Sequence, residues 1–262
     1  MNSIDKIVDL LQKEISFVLV KIYETHKAAL DACSPIIVTQ EESFGDYGIY
    51  TQELIAEARK SLKKGKSYSF RNFMESFDVC FEYFCQQKTL VIVGAGHIAV
   101  PLCHTANLLG FKTVVIDDRK DCVTSERFPK AQELLVSPYT EGLQNYPIDH
   151  NTYIVLVTPG HVYDRDCLKI LLQKGQAAYI GMICSTRRKE ATWKLMRAEG
   201  YSQELLDQIY APIGLPIGGE TPEEIAISII SEIIALRNKG KDWVWSIKKN
   251  PFYSAKTTSE KL

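Results

Sequence analysis

The segment Leu90-Val-Ile-Val-Gly-Ala-Gly-His-Ile-Ala99 constrains the fold of this chain more than any other. Apolar, mostly β-branched residues run straight into Gly94-x-Gly96-x-x-Ala99. A helix-like apolar stretch follows, and then a second β run, Lys112-Thr-Val-Val-Ile-Asp117. Strand, glycine turn, helix, strand and acid is the order of a βαβ unit that binds phosphates. Gly94 permits the tight turn, Gly96 lets backbone approach an anion without a Cβ between them, and Ala99 allows close helix–strand packing. The helix start supplies free N–H groups and a partial positive charge. Asp117 lies 23 residues beyond Gly94, where a carboxylate would accept hydrogen bonds from a ribose diol. Asp118 and Arg119 follow it. A turn that only joins strand to helix, with Asp117 closing a strand end, has the same spacing.

The rest of the chain fits a soluble globular class. Its 262 residues are 45% hydrophobic and 24% charged, enough for one large or two modest domains. A net charge of −1 gives no field for nucleic acid or an anionic membrane. No apolar run reaches the ~18 residues of a membrane span, and the polar start Met1-Asn-Ser-Ile-Asp-Lys is not a secretory leader. The seven cysteines (Cys33, Cys80, Cys85, Cys103, Cys122, Cys167 and Cys184) form no CxxC pair and read as reduced, buried small hydrophobes. A cytoplasmic location is the expectation that follows.

Three regions are expected. Residues 1–85 read as a small α+β domain: a helix over 3–15, strands at 17–23 and 35–38, a helix over 51–64 stopped by Gly65, and an aromatic hairpin over 68–84. Residues 86–240 alternate strands at 89–93, 112–117, 133–136, 152–157 and 177–182 with helices at 97–109, 163–173, 186–199 and 222–238. That grammar predicts an α/β, Rossmann-like parallel sheet with helices on both faces and the loops after the strands on one edge. Thr221-Pro-Glu-Glu224 is a helix start with Thr221 as cap, and Ile225, Ile229 and Ile233 make the apolar stripe that follows. Residues 241–262 hold Trp243, Trp245, Phe252 and Tyr253 and read as a C-terminal arm. Aromatics at 68–84 and 243–253 serve either the core or a homodimer interface.

Five local motifs stand in order: Gly94-Ala-Gly-His-Ile-Ala99; Asp117-Asp-Arg119 with Glu126-Arg-Phe-Pro129; Thr158-Pro-Gly-His-Val-Tyr-Asp164; Tyr179-Ile-Gly-Met-Ile183 with Arg187-Arg-Lys189; and Pro212-Ile-Gly-Leu-Pro-Ile-Gly218 with Thr221-Pro-Glu-Glu-Ile-Ala226. Together, over about residues 88–238, they resemble the XdhC/CoxI family, accessory proteins of xanthine dehydrogenase and related molybdenum hydroxylases. The resemblance implies maturation rather than metabolism. It implies binding of the molybdenum cofactor (molybdopterin), its protection while a cysteine desulfurase adds the sulfido ligand, and its transfer to an apo molybdenum hydroxylase. An NAD(P)-dependent oxidoreductase is the alternative, with Asp117 favouring NAD; against it, no Tyr-x-x-x-Lys pair stands in the expected window.

The N-terminal region departs from the family. Relatives carry Gly-Ser-x-x-Arg-x-x-Gly where this chain has Glu24-Thr-His-Lys-Ala-Ala-Leu-Asp-Ala32, and Gly-Gly-Gly-Cys-x-Glu where it has Phe44-Gly-Asp-Tyr-Gly-Ile-Tyr-Thr-Gln52. Ile49 or Tyr50 stands near the family's cysteine. Pro216 stands where relatives tend to have an aspartate.

The expected cofactor-binding residues are Gly94, Gly96, His97, Ala99, Asp117, Asp118, Arg119, His161, Asp164 and Ser185. A neutral His97 at the helix start would donate to a phosphate or simply begin the helix. Asp164 would orient His161 or cap the helix. Cys184 beside Ser185 is a thiol near the site or a core residue. Arg187, Arg188 and Lys189 would clamp phosphate or form a solvated helix face. No metal site is expected, and His26, His104 and His150 match no motif.

Overall fold

The computed structural model describes residues 2–13, 15–23, 35–75, 77–85 and 87–249, without the side chains of His161 and Val162. The expectations for Glu24–Ala32, His26, Cys33, Phe252 and Tyr253 lie outside the described residues. The chain divides into two compact units, Met1–Gln87 and Lys88–Leu262.

The first unit is an antiparallel sheet with a helix on each face. Its elements are α1 (Ser3–Gln12), β1 (Phe17–Tyr23), β2 (Ile36–Val38), β3 (Ser43–Phe44), α2 (Thr51–Lys64), β4 (Tyr68–Phe73) and β5 (Phe77–Phe84), with strand order β3-β2-β1-β5-β4. β1 is buried on both sides because its residues alternate between two cores. Val18 and Val20 meet Leu54, Ile55 and Ala58 of α2, while Phe17 and Leu19 meet Leu10 of α1. The predicted helix over 3–15 ends at Gln12, and β3 is a two-residue strand that the sequence pattern does not signal.

The second unit is the parallel sheet. Its elements are β6 (Thr89–Val93), α3 (Ala99–Leu108), β7 (Lys112–Asp117), β8 (Glu133–Val136), α4 (Tyr139–Asn145), β9 (Thr152–Leu156), α5 (His161–Lys174), β10 (Tyr179–Met182), α6 (Thr186–Ala198), α7 (Gln203–Leu206), α8 (Pro222–Lys239) and α9 (Lys241–Lys248). The strand order is β10-β9-β6-β7-β8, all parallel. β6 alternates like β1. Leu90 and Ile92 join the core with α3 and α8, and Val91 and Val93 join the core with α4, α5 and α6. Helices therefore cover both faces, as the run of apolar strands requires.

Three corrections concern helices. α3 starts at Ala99 rather than residue 97, because Gly96–Ile98 form the turn. α4 and α7, of seven and four residues, are too short to show a period and add to the expected set. The described part of the C-terminal arm is a helix, α9, packed on its own unit. Trp245 stacks on Tyr210 at 5.3 Å, and Lys248 pairs with the fully buried Glu232 of α8. The start of α8 matches its sequence reading: Thr221 Oγ1 accepts the Glu224 N–H, Glu224 accepts the Thr221 N–H, and Pro222 opens the helix.

A candidate cofactor crevice at the switch point of the sheet

The chain leaves β6 toward one face of the sheet and leaves β9 toward the other, so the loops after these neighbouring strands part at their carboxyl ends. Such a switch point is where open α/β sheets bind ligands. Gly94-x-Gly96 borders it on one side and Thr158-Pro-Gly160 on the other.

The glycine turn is fixed from three directions. The Gly94 N–H donates to Ile116 O at 2.8 Å, and the Val157 N–H donates to Val93 O at 2.8 Å. Gly94 has φ +110°, and a Cβ there would lie 2.5 Å from Val157 O, so no other residue fits. The third tie is Asp117. Its carboxylate accepts the Ala95 N–H at 2.6 Å, the Arg119 N–H at 3.0 Å, and the Arg119 Nε and Nη2 at 2.8 Å each. Gly96 is different: a Cβ built on it meets nothing within 4 Å, so the space over it is open and the fold itself does not require glycine there. No side chain caps the start of α3 and no acid stands in its first turn, so its leading N–H groups have no capping side chain or first-turn carboxylate competing for them.

Asp117 has a bracing role that its spacing in the sequence does not signal. It is fully buried, and the four bonds occupy the acceptor positions of a carboxylate. Burial pushes its pKa up, but the hydrogen bonds from Arg119 and the Ala95 N–H outweigh this and hold the carboxyl well below the usual range. It is a brace for the turn, and the diol acceptor expected there is already engaged by the protein. Arg119 remains half exposed at the carboxyl end of the sheet, and Asp118 and His97 are exposed. Ala99 is fully buried against the sheet.

Across the crevice, Asp164 is buried and joins three segments. Its Oδ1 accepts the Thr158 hydroxyl at 2.5 Å, and its Oδ2 accepts Arg188 Nη2 at 2.6 Å. The cap position of α5 is Gly160, so Asp164 does not cap that helix; it ties α5 to α6. His161 is the first residue of α5, and its side chain lies outside the described residues. Ser185 caps α6 by accepting the Arg188 N–H at 3.2 Å. The basic run divides: Arg188 serves Asp164, Lys189 lies 5.8 Å from the Trp193 ring, and Arg187 is exposed. Cys184 is half-buried, and burial with the nearby Asp164 charge pushes its thiol up to about 11, which makes it a poor nucleophile near neutral pH.

Two residues outside the sequence-based site complete the edge. Tyr139 opens α4 and Tyr163 lies in the first turn of α5; their rings meet edge to face at 5.1 Å. Pro138 before Tyr139 is the one local signal of a helix start. Among the described residues no three His, Cys, Asp or Glu side chains gather as a metal site, and no helix is long and apolar enough to cross a membrane. In the first unit, Gly48–Tyr50 form a 3₁₀ turn that places Ile49, near the family's cysteine position, 84% exposed.

The model of the XdhC Rossmann domain matches residues 90–233, from β6 into α8. The chain is 27% identical over 205 residues to the uncharacterized protein YqeB of Escherichia coli (strain K12), covering 73% of this chain and 37% of that protein. It is 33% identical over 167 residues to a probable xanthine dehydrogenase subunit of Bacillus subtilis (strain 168), covering 62% of this chain and 48% of that protein. The chain thus spans less than half the length of these curated relatives. A crystal structure of a xanthine dehydrogenase (BH1974) from Bacillus halodurans shares the fold, with TM-score 0.53, 19% identity, and coverage of 97% of this chain and 99% of that one. With a family model matched across more than half its length, and across every strand of the crevice-bearing sheet, this chain belongs to the XdhC family.

Proposed function

We propose that this protein is an accessory factor for a molybdenum hydroxylase of the xanthine dehydrogenase kind, and that it holds the molybdenum cofactor at the β6/β9 crevice. The observation that carries this reading is the family match over residues 90–233, which takes in both lips of the crevice. The Bacillus subtilis relative, named for xanthine dehydrogenase, supports the choice of client. The local chemistry fits the cofactor's phosphate: the space over Gly96 is open, the start of α3 is uncapped, and the half-exposed guanidinium of Arg119, paired with Asp117, keeps further N–H donors at the same edge. The bound cofactor would supply its own metal chemistry to the client, while the residues of this chain bind and shield it.

The sulfur step belongs in this reading to a cysteine desulfurase partner. Ile49, which with Tyr50 stands near the family's cysteine position, is exposed, and Cys184 is insulated by burial. The alternative, an NAD(P) oxidoreductase, is favoured by the glycine turn but loses its ribose acceptor, because Asp117 is engaged by Ala95 and Arg119.

The test is co-purification from cells competent for molybdenum cofactor synthesis. Bound pterin, released and read by fluorescence, is expected at near one equivalent per chain and is expected to disappear with Gly96→Asp. Tight NAD(H) binding with no pterin would overturn the proposal.

A further inference from the structure

Tyr163 is half exposed, at 46%, although it stands beside a buried ring. Three features hold it in place. The edge-to-face contact with Tyr139, itself only 3% exposed, fixes one side of the ring. Gly160 lies against it, with the position of an added Cβ 3.5 Å from Tyr163 Cδ2. The next residue, Asp164, is pinned to Thr158 and Arg188, so the turn that carries Tyr163 is braced from two other segments. Tyr139 also joins the two sides of the crevice. Its ring supports Tyr163, and its buried hydroxyl lies against the Asp117–Arg119 pair without a well-formed hydrogen bond.

An aromatic ring that is pre-ordered on one side and open on the other costs little conformational entropy when a flat partner lands on it. It stands at the start of α5, across the switch point from the glycine turn. We propose that Tyr163, backed by Tyr139, is the stacking platform for a planar heteroaromatic ring whose phosphate sits at Gly94–Ala99. This rests on the cofactor-site reading above and adds the ring position to it. A pterin and a nicotinamide or adenine ring share this chemistry, so the probes must separate them.

The experiment titrates the full chain with 6-hydroxymethylpterin monophosphate, with NADH, and with inorganic pyrophosphate, which has no ring. Ring fluorescence follows the first two, and calorimetry follows all three. Tyr163→Ala is expected to weaken one ring-bearing probe about 5- to 100-fold, the range of a lost aromatic stack. Tyr163→Phe is expected to retain it, and pyrophosphate affinity is expected to be unchanged in both variants. The probe that loses affinity identifies the ring. If a ring-bearing probe binds the unmodified protein and Tyr163→Ala binds it equally well, the platform is overturned while the phosphate site stands. If none of the three probes binds, the cofactor-site reading itself falls, and the platform with it.

Discussion

The carboxylate of Asp117 accepts the backbone N–H of Ala95 at 2.6 Å, which ties the end of β7 to the middle of the glycine turn. The same carboxylate is gripped by Arg119, so a single charged group links turn, strand and cation. Asp117→Asn keeps the size but replaces one acceptor with donors that face Ala95 N–H or Arg119. A loss of about 2–3 kcal/mol is expected, as for a buried charge-assisted bond left unmade. The sign with pH follows from the lowered pKa in the fold. The stability contributed by this ionised carboxyl is present above its unfolded value of about 3.9 and is lost as pH falls through the folded one. Urea midpoints at pH 7 and pH 3 should therefore fall more for the unmodified protein than for Asp117→Asn. Equal falls would show that the brace does not titrate with folding.

Gly94 and Gly96 should respond in opposite ways to the same substitution. At Gly94 a methyl group meets Val157 O at 2.5 Å in a positive-φ conformation, and Gly94→Ala should cost at least ~2 kcal/mol. At Gly96 the same methyl meets nothing within 4 Å, and Gly96→Ala should fold with stability within about 0.5 kcal/mol of the parent. Its defect should appear only in ligand binding, because the methyl would occupy the space in which the proposed phosphate sits. Thermal unfolding set beside binding of the pterin phosphate separates the two. A strongly destabilised Gly96→Ala would mean that the open space is a packing requirement.

The contrast between these glycines shows what a sequence can disclose. β6, β7, β9 and β10 are legible because fully buried strands are short apolar runs bounded by turn residues, and their order with the intervening helices leaves few topologies. The Thr221 cap is legible because its partners lie within three residues. The role of Asp117 is not, because nothing in its spacing shows that the Arg119 side chain folds back over it. The Tyr139–Tyr163 pair is hidden because α4 and α5 come together only in the fold, 24 residues apart in the chain. Trp245 and Lys248 read as an arm for the same reason: their partners, Tyr210 and Glu232, are distant in sequence.

That last pairing makes its own prediction. Glu232 is fully buried; one oxygen accepts the Tyr179 hydroxyl at 2.5 Å, and the other pairs with Lys248. Lys248 also donates to Pro212 O at 2.6 Å. Lys248→Met leaves a carboxylate in the core without its counter-charge and should cost about 3–5 kcal/mol. Adding Glu232→Gln should recover more than half of that loss, since the amide needs no counter-ion and still accepts from Tyr179. A double-mutant cycle by urea denaturation measures the coupling. Additive losses would show that the pair does not hold α9 to the domain.

Thiol reactivity tests whether this chain can handle sulfur by itself. Burial pushes Cys184 up to about 11 and Cys167 up to about 12, with the Asp164 charge adding to both. Cys85 is exposed. A thiol at about 11 is almost wholly protonated at pH 7.5, and burial also keeps the reagent away from it. Iodoacetamide should therefore label the exposed Cys85 well before Cys184, with the difference collapsing in denaturant. Peptide mass mapping over a time course reads both sites in one sample. Rapid labelling of Cys184 in the folded protein would make it a reactive group at the crevice and count against assigning the proposed sulfur step to a partner.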